Sequence, residues 1–175
     1  MIFVVLGTQK FQLNRLLQKL DEYKEVGLLE DEIYAQIGNS TYKPKNYRYK
    51  EFMDKQEFDE TIASADVVIA HSGVGTIITA IHAEKPIIVF PRLAKYKEHV
   101  DDHQLDIAKA FEMKKYVLCC YENDDLLEIC AANGVDYYIF SNTDTLQVAW
   151  SVGEFECLIT SSISIEELKA MIDSI

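Results

Sequence analysis

Residues 71–76 read His-Ser-Gly-Val-Gly-Thr and bring an imidazole, two hydroxyls and two glycines into one short stretch. The apolar run Val67–Ala70 precedes them, and a helical pattern begins near Thr76. A strand that turns this tightly into a helix leaves the first-turn amides without intrahelical partners, at the positive end of the helix dipole. Gly73 and Gly75 admit close approach of a ligand to backbone, Ser72 and Thr76 add hydroxyl donors, and the His71 ring can donate as well. That chemistry suits a phosphate or diphosphate. The plainer alternative is a tight turn with His71 satisfied locally, since glycine-rich turns are common. Two familiar nucleotide motifs are absent. The position three after Gly75 is Ile78, so the dinucleotide fingerprint lacks its third small residue, and no Gly-Lys-Ser/Thr triplet forms a Walker A loop.

A second cluster is Pro91-Arg92, followed by Glu98-His99-Val100-Asp101-Asp102-His103-Gln104. It lies after the next strand pattern, so in a doubly wound sheet it emerges on the same carboxyl edge as the His71 turn. Carboxylate, imidazole and amide groups together suit sugar hydroxyls, which need donors and acceptors. The alternative is a charged helix N-terminus, with Asp101 and Asp102 set against the dipole. Gly7-Thr8-Gln9, after the first apolar run, is a third candidate on that edge.

These clusters need elements to carry them. Ile2–Leu6 is a continuous apolar run of the kind buried on both faces of a parallel sheet. Phe11, Leu13, Leu16, Leu17 and Leu20 then recur at helical spacing. Further strands are expected at Ile33–Gly38, Val67–Ala70, Ile87–Phe90, Tyr116–Cys120 and Tyr137–Phe140. Helices are expected over Glu57–Ala65, Thr76–Ala83, Asp102–Phe111 and Asp124–Ala132, and a tyrosine-rich loop over Asn39–Tyr49. This alternation predicts a Rossmann-like α/β fold, a mostly parallel sheet with helices on both faces. No linker divides residues 1–175, which are expected to form a single domain. Ser141–Thr160 shows no clean period. Ser164-Ile165-Glu166-Glu167 matches a capping box, and Ile165, Leu168, Met171, Ile172 and Ile175 mark one apolar face. Residues 161–175 are therefore expected to hold a C-terminal helix that covers the sheet or docks on a partner.

The 175 residues are 49% hydrophobic and 26% charged, with a formal net charge of −12. That balance excludes disorder as the main state, and the negative surplus argues against nucleic acid or anionic lipid held by charge alone. Apolar runs fall far short of the roughly 20 residues of a membrane helix. Met1–Phe11 reads as a first strand, not a signal peptide. Cys119, Cys120, Cys130 and Cys157 lack metal-ligand spacing and fit a reducing compartment, so neither metal nor cofactor is expected.

In order, ADVVIAHSGVGTI (residues 65–77), KPIIVFPR (85–92) and EHVDDHQLDIA (98–108) resemble the donor-binding C-terminal domain of family 28 glycosyltransferases. Within that family the chain most resembles the small donor subunits of bacterial exopolysaccharide synthesis. It is also similar to the eukaryotic donor subunit of the dolichol-linked N-acetylglucosamine transferase. The resemblance runs from about Ile2 to Phe140 and is densest from Phe52 to Phe111. It implies one half of a GT-B fold, in which Gly7, Thr8 and Gln9 line the donor cleft beside a diphosphate. It implies that the backbone of Glu51-Phe52-Met53 meets a uracil base, ordinary core being the other reading of Phe52 and Met53. His71, Ser72, Gly73, Gly75 and Thr76 would hold the diphosphate, and Asp102, His103 and Gln104 the donor sugar's hydroxyls. Many relatives carry a ribose-binding Glu where this chain has Thr79.

Two Rossmann-like domains build such an active site, and this chain has the length of one. The resemblance therefore implies the UDP-sugar-binding subunit of a two-component inverting glycosyltransferase, moving a hexosyl unit in cell-surface polysaccharide synthesis. A membrane-associated partner would bring the lipid-linked saccharide acceptor and the general base, and would hold this chain at the cytoplasmic face of the membrane. His99 and His103 are the candidate bases on this chain, with sugar or loop contacts as the alternative. Without its partner the chain can self-associate as a homo-oligomer. The rival reading is a non-catalytic activator of a partner transferase.

Overall fold

In the computed structural model, residues 1–124, 126–132, 135–142, 145–152 and 155–161 are described. Along the first 130 residues run β1 (Ile2–Val5), α1 (Asn14–Glu25), β2 (Ile33–Gln36), β3 (Arg48–Lys50), α2 (Lys55–Ser64), β4 (Val67–Ala70), α3 (Val74–His82), β5 (Ile87–Val89), α4 (His103–Met113), β6 (Leu118–Cys119) and α5 (Leu126–Cys130). The strands β1–β6 form one sheet in the order β3-β2-β1-β4-β5-β6, with every pair parallel. This is the doubly wound order, and the expected Rossmann-like α/β fold is borne out. Strand order reverses between β1 and β4. Val5 pairs with both Gln36 and Ala70, so the carboxyl ends of β2, β1 and β4 are level. The loops after β1 and β4 flank the crevice at that reversal, where ligands of open α/β sheets bind.

β1 is apolar at every position because both of its faces are covered. Ile2, Val4 and Leu6 pack with Leu13, Leu16, Leu17 and Leu20 around α1, and with Leu126 of α5. Phe3 and Val5 point to the other face and pack with Ile62 of α2, Ile77 and Ala80 of α3, and Ala108 of α4. The helices thus lie on both faces of the sheet.

The tyrosine-rich segment is irregular only as far as Tyr47, because Arg48 begins β3. Arg48-Tyr49-Lys50 is an exposed, charged edge strand, which carries no apolar pattern to announce it. Asp21, only 3% exposed, anchors the segment from α1. Its carboxylate accepts from the Tyr42 hydroxyl at 2.6 Å, the Lys45 amide at 3.0 Å and the Asn46 amide at 2.8 Å. Burial pushes the Asp21 pKa up, but these hydrogen bonds, Tyr42 foremost, together hold it below the ordinary value. Its stabilisation is therefore present above the unfolded pKa and is lost as pH falls through the lowered one. Asp21→Ala leaves three donors without their acceptor and is expected to cost about 2 kcal/mol in urea denaturation at pH 7. An unchanged midpoint would show that the segment holds itself.

Beyond Cys130 the chain departs from expectation. β7 (Ala131–Ala132), β8 (Val135–Asn142), β9 (Thr145–Val152) and β10 (Phe155–Ser161) form a separate antiparallel sheet in the order β10-β9-β8-β7. Tyr137–Phe140 is a strand, but of this sheet and not the parallel one. The helix expected over Asp124–Ala132 is confined to Leu126–Cys130. Ser141–Thr160, expected to be irregular, falls largely in β9 and β10. The alternation is present in the sequence, with Leu146, Val148, Trp150 and Val152 at every second position of β9. Ala132 pairs with Val135, Asn142 with Thr145 and Val152 with Phe155. The sequence holds Asn133-Gly134, the strongest dipeptide signal for a hairpin. Ser161 closes β10, and the remainder of the helix expected over 161–175 lies outside the described residues. Among the described residues no helix is long and apolar enough to cross a membrane.

Candidate functional site

Three loops meet at the carboxyl edge, residues 6–13 after β1, 71–73 after β4 and 90–102 after β5. One buried side chain joins each pair. His71, 7% exposed, joins the first two. Its backbone amide and its Nδ1 each lie 3.3 Å from the Val5 carbonyl. Its ring lies between two glycines: a Cβ on Gly7 would stand 2.6 Å from Cε1, and one on Gly73 would stand 2.3 Å from Nε2. Gly73 is therefore demanded by the imidazole. Gly75 meets nothing within 4 Å and opens outward. Burial first, then the charge of Arg92, push the His71 pKa down to about 4, against support from the Val5 carbonyl. The ring is thus neutral at pH 7, and its proton sits on Nδ1 because a carbonyl can only accept. Nε2 is then an acceptor. His71, a candidate diphosphate contact, holds the turn after β4 to the carboxyl end of β1 and packs between Gly7 and Gly73.

Gln104, also buried, joins the second loop to the third, its Oε1 accepting from the Ser72 amide at 3.3 Å and the Arg92 amide at 3.1 Å. Arg92 closes the triangle, its Nη2 donating to the carbonyls of Leu6 at 2.6 Å and Phe11 at 3.2 Å. Burial lowers the Arg92 pKa to about 10, opposed by Glu98, so the guanidinium stays charged at neutral pH. Glu98 is itself buried and is held by Arg15 at 3.0 Å and by the Leu93 amide at 3.0 Å.

The remaining expected residues surround this triangle. Thr8 and Gln9 are exposed, and their carbonyls are drawn toward Asn39, whose Nδ2 donates to them at 3.4 and 3.0 Å. α3 starts after Gly73 with no side chain capping it, so its first-turn amides at Val74, Gly75 and Thr76 keep their hydrogen-bonding capacity. Ser72 is buried, with its Oγ unpartnered. Asp102 already accepts the Ala94 amide at 2.8 Å, and the exposed His103 donates its amide to Asp101 at 3.1 Å. Asp101 also pairs with His99 Nδ1 at 2.9 Å, and the His99 ring lies 4.7 Å from that of Phe11. Phe52, following β3 on the same edge, is 43% exposed and no core residue, whereas Met53 packs on the core. The Met53 amide is taken by Gln36 Oε1 at 3.1 Å. Thr79 Oγ1 donates to the Gly75 carbonyl at 2.8 Å within its own helix. Sequence reasoning places Arg92 in the second cluster without a task of its own and gives Asn39 none; the signal for Arg92 is a cation placed shortly after a buried strand, and Asn39 carries no signal. A cleft of about 360 Å³ beside α1, lined in part by Arg15, Lys19, Phe90 and Tyr121, shares no residue with the expected site. Cys119 and Cys120 are buried, and burial pushes the Cys119 thiol up to about 12.

Residues 1–130 match the glycosyltransferase family 28 C-terminal domain. UDP-N-acetylglucosamine transferase subunit ALG13 of Mus musculus is 27% identical over 127 residues, covering 67% of this chain and 10% of its own length. The protein of that name from Debaryomyces hansenii is 33% identical over 107 residues, covering 55% of this chain and 50% of its own. A UDP-N-acetylglucosamine–N-acetylmuramyl-(pentapeptide) pyrophosphoryl-undecaprenol N-acetylglucosamine transferase of Prochlorococcus marinus is 36% identical over 80 residues, 42% of this chain and 22% of its own. This chain therefore spans half or less of the length of these curated relatives. Among solved structures, MurG of Acinetobacter baumannii is 19% identical with a TM-score of 0.48, covering 72% of this chain and 38% of that one. The family match takes in all six parallel strands and the three bracketed loops, and the chain belongs to the glycosyltransferase family 28 C-terminal domain family.

Proposed function

We propose that this chain is the UDP-sugar-binding subunit of a two-component inverting glycosyltransferase, one half of a GT-B enzyme. The observation that carries the reading is the uncapped start of α3 at the strand reversal, clamped by His71 to a first loop whose carbonyls are already engaged. The UDP diphosphate sits there, between the amides of residues 7–9 and 74–76, and charge on departing UDP is stabilised by amides and helix dipole. The exposed Phe52 lies against the uracil. Asp102 and His103 address the sugar together with the Gln104 carboxamide nitrogen, since the Gln104 oxygen is occupied. The names of the relatives, which specify N-acetylglucosamine transfer from UDP, support a UDP-linked hexosyl donor. A membrane-associated partner presents a lipid-linked acceptor in cell-surface polysaccharide synthesis, supplies the general base and keeps this chain at the cytoplasmic face. Residues 161–175 serve as the docking element, and residues 1–175 act as one unit.

Titration of the ¹⁵N-labelled chain with UDP tests this. Amide shifts are expected at Gly7–Gln9 and Gly73–Thr76, with Leu20–Glu25 of α1 unmoved. No shift at millimolar UDP, with the partner absent or present, would sink the reading. The engaged Thr79 hydroxyl favours a second one, in which ribose recognition is lost and the chain only activates its partner. Full UDP-sugar turnover by the partner alone would establish that version.

A further inference from the structure

Among the described residues, the buried side-chain nitrogen and oxygen atoms without a partner are Ser72 Oγ, Arg92 Nε and Arg92 Nη1. All three belong to the bracketed loops, and Gln104 Oε1 holds the Ser72 and Arg92 amides together. Native proteins rarely leave such groups orphaned, and their convergence on one place asks for a cause. Arg92 is 1% exposed in a chain of net charge −12. The carboxylate whose charge bears on it, Glu98, is ion-paired with Arg15, so two cations share one anion. The excess positive charge lies under the first loop and is felt at His71, on the crevice. Arg92 Nη2 also takes the Leu6 and Phe11 carbonyls of that loop.

We infer that Arg92 is the positioning residue that makes this site select a diphosphate: a buried, incompletely neutralised cation that ties the first loop by its carbonyls and sets a positive field behind its amides. The inference rests on the donor-binding reading above. Its charge acts without contact, because a buried cation is screened far less than one in water. Asn39 assists by holding the Thr8 and Gln9 carbonyls.

The test is the ratio of UDP to uridine affinity, measured by NMR titration of the full chain for wild type, Arg92→Gln and Arg92→Lys. Uridine lacks the phosphates and reports the base and ribose contacts alone. Arg92→Gln is expected to lower the ratio at least tenfold while uridine affinity stays within twofold; Arg92→Lys, which keeps the charge, is expected to hold the ratio within threefold. A folded Arg92→Gln protein with an unchanged ratio overturns the inference, as does an equal loss of both ligands, which would make Arg92 a brace only. Should Arg92→Gln not fold, a tenfold fall of the ratio in Arg92→Lys overturns it and retention within threefold supports it. Failure of wild type to bind UDP instead removes the donor-binding reading, and this inference with it.

Discussion

Gly7→Ala is expected to destabilise the protein by about 3 kcal/mol and Gly73→Ala by about 2 kcal/mol, and deleting the His71 ring will cancel most of the second loss but only part of the first. The two glycines touch the same imidazole for different reasons. Gly7 has φ +70, in the left-handed region, so an added Cβ is strained there and also lands 2.6 Å from His71 Cε1. Gly73 has φ −82 and ψ 114, which alanine adopts freely, so its whole cost is the 2.3 Å approach to His71 Nε2. The ring cannot easily retreat, because its Nδ1 is held by Val5. In a His71→Ala background, Gly73→Ala meets no ring and becomes neutral, or gains a few tenths of a kcal/mol by restricting the unfolded chain. Urea denaturation of the double-mutant cycle reads this as a coupling energy of about 2 kcal/mol. Additive losses would show that Gly73 is there for another reason.

The same contrast marks how far the sequence could be read. The parallel sheet is legible because strands buried on both faces must be apolar throughout, as Val67–Ala70 is, and because α1 repeats leucines at helical spacing. That residues 71–73 turn tightly between β4 and α3 is legible too, since small residues stand between a buried apolar run and a helical pattern. What the side chains do there is not. Nothing in the types His71 and Gln104 distinguishes a ligand contact from a bracket between loops, because both roles need a polar group beside a turn. Only burial and the identity of the acceptor, Val5 for one and the Ser72 and Arg92 amides for the other, separate them. β3 is hidden by its charges, as edge strands are. The second sheet is missed for a different reason: its alternation is broken by Ala149, while the Asn133-Gly134 signal stands just after a helical run.

Between pH 6.5 and about 4, one side chain is expected to remove about 3 kcal/mol of stability. His71 has an ordinary pKa of 6.5, and in the fold burial and then the Arg92 charge bring it down to about 4. In that interval the unfolded chain binds a proton that the folded chain refuses, so stability rises with pH. It is complete above 6.5 and is lost as pH falls toward 4. Asp21 acts in a lower window, since its folded pKa lies below 3.8. His71→Gln keeps an N–H for the Val5 carbonyl but does not titrate. Urea midpoints at pH 7.5, 6.5, 5.5 and 4.5 should therefore slope for wild type and stay nearly level for this variant. Parallel slopes would assign the loss to other groups. Binding should follow the same curve: a protonated His71 places a second cation beside Arg92, which favours opening the contact with Val5 over keeping the ring buried. The clamp between the first loop and the start of α3 then releases, and UDP affinity should fall with acidification in wild type even though the pocket becomes more positive, a direction opposite to that of simple charge attraction.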